Sequence, residues 1–254
     1  MLTALEAKPK VASLNVCADQ LVLALADAAQ IAALSPLSRD PNLSHGWRRA
    51  GEFRQAGGGA EEIIRLEPDV VLMGKHDKAS TRELVQRLGP PVTLVELWQG
   101  FDHGKAQIRL VAAALDQRPR GEALIQRIAE AEAAAADAGR GRNALILGRG
   151  GYADGPASLT ASLLAAAGLK PVETGQPFGG FVALELLVSM QPDIVVTASS
   201  GYGDNDQRAA FLRHPALQAM LERTHWIILP NALSVCEASL PEALDALAKQ
   251  LRAR

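Results

Sequence analysis

The sequence predicts an α/β fold in two lobes joined by a single long α-helix. Three observations carry that prediction. Short apolar runs alternate with helix-period segments on both sides of mid-chain, the signature of mostly parallel sheets. Between the two sets lies Pro119–Ala138, PRGEALIQRIAEAEAAAADA, with eight alanines, and alanine is the best helix former. Finally, Glu61–Val71 (EEIIRLEPDVV) matches Glu185–Val195 (ELLVSMQPDIV) at a constant offset of 124 residues. Each copy reads as a short helix, a Pro-Asp turn and a strand, and each follows a glycine-rich loop. Such a repeat points to a duplicated lobe. The expected boundaries are 1–117 for the first lobe, 118–139 for the helix and 140–254 for the second lobe.

The elements follow in order. Val11–Leu14 is a short strand, and a helix follows it with Asp19 as the expected N-cap. Ile31–Leu34 is a second strand. Residues 35–59 form a long polar loop holding Arg39, His45, Trp47 and Phe53, and loops of that length are often functional. Glu61–Leu66 is a helix stopped by Pro68, and Val70–Met73 a buried-type strand. Thr81–Leu88 is a helix, Val92–Val95 a strand and Lys105–Leu115 a helix. In the central segment Pro119 suits a first helical turn. Leu124, Ile125, Ile128, Ala131 and Ala135 repeat there at helical spacing. Gly139 and Gly141 close it. Alternation then resumes: strand Ala144–Leu147, helix Leu159–Ala167, helix Ala183–Met190 and strand Ile194–Thr197. Helix Gln207–Leu221, broken near His214-Pro215, precedes strand Trp226–Leu229 and helix Pro241–Leu251.

Composition excludes several classes. Hydrophobic residues make up 48% of the 254, enough for a core, and net charge is −2. Nothing there marks a nucleic-acid or anionic-membrane binder. No apolar run reaches the roughly 18 residues of a membrane span. The start, MLTALEAKPK, lacks the basic and apolar regions of a secretory signal.

The ordered set of segments resembles the periplasmic substrate-binding proteins of ABC importers for iron–siderophore, haem and cobalamin. The resemblance is carried by VASLNVCADQLVLALA at the front, LEPDVVL and MQPDIVV, the central helix, GPASLTASLLAAAGL, and WIILPNALSVCEASLPEAL. It implies two Rossmann-like α/β lobes bridged by one long helix, with a ligand cleft between the lobes. It also implies a metal-chelate ligand, an inner-membrane ABC permease as partner, no catalysis, no resident cofactor, and a periplasmic monomer whose signal has been removed. The family presents one acidic residue on each lobe to the permease, and Glu61 and Glu185 occupy the matching positions. As plain first-turn glutamates they would interact with a helix dipole instead.

Ligands of open α/β sheets bind beyond the carboxyl ends of the strands. The residues expected there are Asn15, Arg39, Trp47, His76, Trp98, Arg149, Tyr152, Phe178 and Tyr202. Aromatics are only 4% of the chain, so their gathering in these loops is informative. A flat chelate needs apolar walls and a few polar anchors, and arginine suits an anionic one. His45, His76, Tyr152 and Tyr202 are the candidate ligands for a chelated metal. No bare-ion site is expected, because no HxxxH or CxxC spacing occurs. Cys17 and Cys236 follow strands, one expected in each lobe, and form either a disulfide or two buried thiols.

Rival readings remain at this stage. Gly148–Ala153 fits the dinucleotide pattern G-x-G-x-x-A after a strand, with Glu173 about 20 residues on, which would make an oxidoreductase. Asp154-Gly155-Pro156 argues against it, because a turn there delays the helix that must hold the pyrophosphate. The acid would also repel phosphate. A Cys–His hydrolase has no selected pair among the five histidines. A cytoplasmic binding or regulatory protein of the same fold is the third alternative.

Overall fold

The computed structural model of the chain describes residues 7–199, 211 and 213–253. Its packing divides the chain into two units. Unit 1 comprises Met1–Leu97, Asp102–Gln126 and Cys236–Ala238; unit 2 comprises Trp98–Phe101, Arg127–Val235 and Ser239–Arg254.

Unit 1 is built from β1 (Val11–Ser13), α1 (Val16–Leu25), β2 (Ile31–Ala33), α2 (Trp47–Ala50), α3 (Ala60–Arg65), β3 (Val70–Gly74), α4 (Ala79–Leu88), β4 (Val92–Val95), α5 (Phe101–Ala114) and the first half of α6 (Arg118–Ala135). Its sheet is parallel, in the order β2-β1-β3-β4. All five residues of β3 are buried, as an apolar run in the middle of a parallel sheet must be. Helix α1 starts three residues before Asp19. Asn15 is its cap, its Oδ1 accepting from the Cys17 and Ala18 amides at 2.9 and 3.5 Å. Asp19 is instead buried inside the helix, where it accepts from the Ser35 amide at 3.0 Å and the Ser35 hydroxyl at 2.5 Å. Burial pushes its pKa up to about 6, the Ser35 bonds opposing the rise. The turn into α6 is closed by amides: Gln30 donates to the carbonyls of Pro9 and Leu115, and Gln117 donates to Gln30 and Asp27. Lys8 and Arg120 pair with Asp27 and lower its pKa to about 2.

Unit 2 contains the rest of α6, then β5 (Asn143–Ile146), β6 (Tyr152–Asp154), α7 (Leu159–Ala166), β7 (Lys170–Pro171), β8 (Gly179–Phe181), α8 (Leu184–Ser189), β9 (Ile194–Ser199), α9 (Pro215–Leu221), β10 (His225–Pro230) and α10 (Leu240–Arg252). Its main sheet is parallel, β10-β9-β5-β7, while β6 and β8 form a separate antiparallel pair. The expected helix break falls at His214, whose Nδ1 accepts from the Ala216 amide and caps α9; residues 207–210 and 212 of that expected helix lie outside the described residues. Strand β10 is apolar in sequence but only alternately buried, because it is the edge of the sheet. Gln250 of α10 covers that edge. Its amide accepts from the Ile228 N–H at 3.2 Å and donates to the Ile228 carbonyl at 2.9 Å, as a neighbouring strand would.

Counting each unit's parallel strands in chain order, both sheets run second–first–third–fourth. The 124-residue repeat therefore marks the same place in both units, the entry to the third strand. Its chemistry repeats as well. Asp69 Oδ2 accepts from the Lys10 amide at 2.7 Å, and the Asp69 amide donates to the Lys10 carbonyl. Asp193 does the same with Asn143, at 2.8 Å for the carboxylate. The Pro-Asp aspartate thus ties the start of the third strand to the start of the first. The residues just before the prolines, Glu67 and Gln191, both sit at left-handed φ, 48° and 40°. Each ends its short helix in the left-handed conformation common at helix C-termini.

Helix α6 is 18 residues long, about 27 Å at 1.5 Å per residue. Leu124, Ile125, Ile128 and Ala135 are buried along it and Ala131 half-buried. The division between the units falls within this helix, after Gln126.

Cys17 and Cys236 are joined by a disulfide. Both cysteines belong to unit 1, which replaces the expectation of one in each lobe. The segment Cys236–Ala238 packs with the first unit, and Cys236 and Glu237 are buried there.

Candidate functional site

The strand order of each unit reverses at one point, between its first and third strands, and a crevice opens at the carboxyl ends of those strands. In unit 1 that point lies between β1 and β3. A cavity of about 350 Å³ sits there, lined by Leu14, Met73, His76, Asp77 and Lys78 with the Gly57-Gly58 backbone beside them. Asp77 is held in place: its Oδ2 accepts from the Gly74 amide at 2.6 Å and its Oδ1 from Asn15 Nδ2 at 3.4 Å. The exposed His76 imidazole and Lys78 ammonium are donors at this crevice, with the Thr81 hydroxyl.

In unit 2 the reversal lies between β5 and β9. A cavity of about 250 Å³ opens there, with Leu147, Val196 and Leu229 as apolar wall and Asp154, Thr160, Thr197, Asn231 and Ser234 as polar lining. Beside β5 stands the β6–β8 pair, which carries aromatic side chains. Tyr152 and Phe181 pack edge to face, ring centres 5.6 Å apart. Phe178 and Phe181 are 65% and 67% exposed.

The residues expected from the strand ends fall into three groups. His76 lines the unit 1 crevice, and Asn15 supports it through Asp77 while capping α1. Tyr152 belongs to the β6–β8 pair and packs on Phe181, and the exposed Phe178 immediately precedes β8. The others make contacts outside the two crevices or lack a described side chain. Arg39 donates to the carbonyls of Ala50 at 3.4 Å and Phe53 at 2.6 Å, closing its loop. Trp47 lies under the Arg48 guanidinium, 4.8 Å from the ring centre. Trp98 donates from its indole to Ser162 Oγ at 3.0 Å and packs edge to face with Phe101. Arg149 begins a short 3₁₀ turn. Tyr202 lies outside the described residues. Among the described residues no group of three or more His, Cys, Asp or Glu could hold a metal ion.

Sequence reasoning missed Asp77 and Lys78 in the first crevice and Thr160, Thr197 and Asn231 in the second. The available signal was positional, since each lies within a few residues of a strand or helix end. Gly148–Ala153 does not form a dinucleotide loop. It makes a 3₁₀ turn and enters β6, and α7 starts only at Leu159, capped by Ser158. Among the described residues no helix N-terminus meets the loop, so the pyrophosphate site that the fingerprint requires does not form there. Glu61 and Glu185 are both exposed in the first turns of α3 and α8.

Comparison with known proteins gives a consistent placement. The family model described as "Periplasmic binding protein" matches residues 11–222. No curated protein sequence matches the chain significantly. Among solved structures, the periplasmic heme-binding protein RhuT from Roseiflexus sp. RS-1 aligns over 97% of this chain and 99% of its own, at 21% identity and a TM-score of 0.78. The periplasmic vitamin B12 binding protein BtuF of Vibrio cholerae covers 97% of each chain at 16% identity and 0.70. The Haemophilus influenzae molybdate binding protein MolA covers 99% and 88% at 17% and 0.74.

Proposed function

The chain belongs to the periplasmic binding protein family, and from that premise we propose that it is the substrate-binding component of an ABC import system. In this reading it captures a metal chelate in the periplasm and delivers it to the inner-membrane permease. One observation carries the choice of a chelate. Phe181 of β8 packs on Tyr152 of β6 and is about two-thirds exposed, Phe178 just before β8 is equally exposed, and Asp154 at the end of β6 lines the crevice of this unit. Aromatics left open to water at a strand-end crevice mark a binding surface for a flat or bulky apolar ligand. A small oxyanion would need no such surface. The relatives of this fold include proteins for haem, vitamin B12 and molybdate, and the aromatic surface favours the tetrapyrroles among them. His76 is the donor proposed at the crevice of unit 1.

The test is equilibrium titration of hemin, cobalamin and a ferric siderophore against tryptophan fluorescence. Binding of at least one in the micromolar range or tighter is expected, with quenching by the chromophore. Failure of all three overturns the chelate reading. For docking, the exposed pair Glu61 and Glu185 presents carboxylates to basic residues of the permease, a steering interaction that weakens with salt. Reversing both charges to Arg should slow transport while chelate affinity stays within twofold; unchanged transport removes the docking role.

A further inference from the structure

The aspartate that argued against a phosphate site has a second consequence. Asp154 closes β6 opposite Gly179 of β8, and its carboxyl lines the unit 2 crevice with Thr160, Thr197, Asn231 and Ser234. Two close approaches hold it there. A Cβ at Gly155 would lie 2.0 Å from the Gln176 carbonyl oxygen, and one at Gly179 would lie 2.8 Å from the Asp154 Cα. Only glycine lets segment 176–179 pack flat against this backbone, so the carboxyl is rigidly placed. The hydroxyls of Thr160 and Ser158 donate to it, yet burial prevails and raises its pKa. No cationic side chain lines the crevice among the described residues. Two hydroxyl donors leave a carboxylate with spare lone pairs.

We propose that this crevice is a subsite for a hydrogen-bond-donating arm of the ligand, an amide, amine or hydroxyl, read by the Asp154 carboxyl. It disfavours a carboxylate arm. The inference rests on the chelate reading above and narrows it. A cavity of about 250 Å³ equals roughly eight water volumes at about 30 Å³ each, room for a side arm and not for a macrocycle. The surrounding hydroxyl and amide groups adapt to either hydrogen-bond direction, whereas the ionised carboxyl accepts only. A donor arm therefore satisfies the site, and a carboxylate arm meets a like charge at short range. Among tetrapyrroles this selects the amide-armed corrinoids over haem, whose arms are carboxylates.

The test measures the affinity ratio of dicyanocobinamide to hemin in wild type, Asp154→Asn and Asp154→Ala. Circular dichroism checks each fold. Wild type should bind the corrinoid more tightly. Removing the charge in Asp154→Asn should tighten hemin, and removing the acceptor in Asp154→Ala should weaken the corrinoid, each by about tenfold. The ratio then falls at least tenfold in both variants. An unchanged ratio in two folded variants overturns the subsite while leaving chelate binding intact. Wild-type protein that binds neither ligand overturns the subsite, and the chelate reading falls with it only when the ferric siderophore fails as well.

Discussion

Replacing Glu237 with glutamine should stabilise the protein above neutral pH and do little in acid. Glu237 is buried beside the Cys17–Cys236 disulfide, and its Oε1 has no hydrogen-bond partner. Desolvation pushes its pKa from 4.5 to about 7, only its own backbone amide opposing. The sign follows from proton linkage. The folded chain holds this proton more tightly than the unfolded chain, so ionisation disfavours folding. Below pH 4.5 both states are protonated and the group costs nothing through charge. As pH rises from 4.5 to 7 the unfolded chain ionises first and stability falls, and above 7 the loss is complete. The gap of about 2.5 pH units, at about 1.4 kcal/mol each, comes to about 3.5 kcal/mol. For a chain of this size that corresponds to roughly 7–14 °C in Tm. Glutamine keeps the shape and the unpaired oxygen, so those costs are common to every pH. Asp19 titrates with the same sign near pH 6 but is present in both proteins and cancels in the difference. The assay is thermal unfolding of oxidised wild type and Glu237→Gln at pH 4 and pH 8, followed by circular dichroism. The variant should gain about 3.5 kcal/mol more at pH 8 than at pH 4. An equal difference at both pH values would refute a buried, proton-holding Glu237.

Two further predictions concern the frame. Asp69→Ala and Asp193→Ala each remove one carboxylate tie between first and third strands, costing about 1 kcal/mol. Hydrogen exchange should quicken at Lys10 and β1 in the former and at Asn143 and β5 in the latter. Faster exchange in both sheets from one substitution would contradict separate, equivalent clamps. Gln250→Ala should bare the Ile228 N–H and carbonyl on the β10 edge, speed exchange at Ile228 and promote concentration-dependent association seen by light scattering. A variant that stays monomeric with slow exchange at Ile228 shows that the side chain does not guard the edge.

Much of the fold was legible because its signals are local. The runs VVLM and IIL and the alanine-rich Pro119–Ala138 segment fall on β3, β10 and α6 within a few residues. The repeat of Pro-Asp turns located the third strand of each unit. The errors came where a distant partner decided. Asn15 and Asp19 are both sound N-cap residues four positions apart, and Ser35 settles the choice by taking the Asp19 carboxyl into the core. The three-residue strands β6 and β8, YAD and GGF, have no periodicity to read and form only because each pairs with the other. Arg39 has the charge for an anionic ligand, and two carbonyls of its own loop fix where that charge sits.

By itself the sequence determined the alternating α/β elements, the duplicated register and the family, since these rest on hydrophobic period, turn residues and repeat spacing along the chain. Tertiary structure alone decided which groups share a crevice. Asp154 became a crevice acid through glycines 24 residues apart, and Cys236 came to unit 1 by bonding a cysteine 219 positions away. Such pairings depend on the path of the folded backbone, and residue type and spacing carry no record of it.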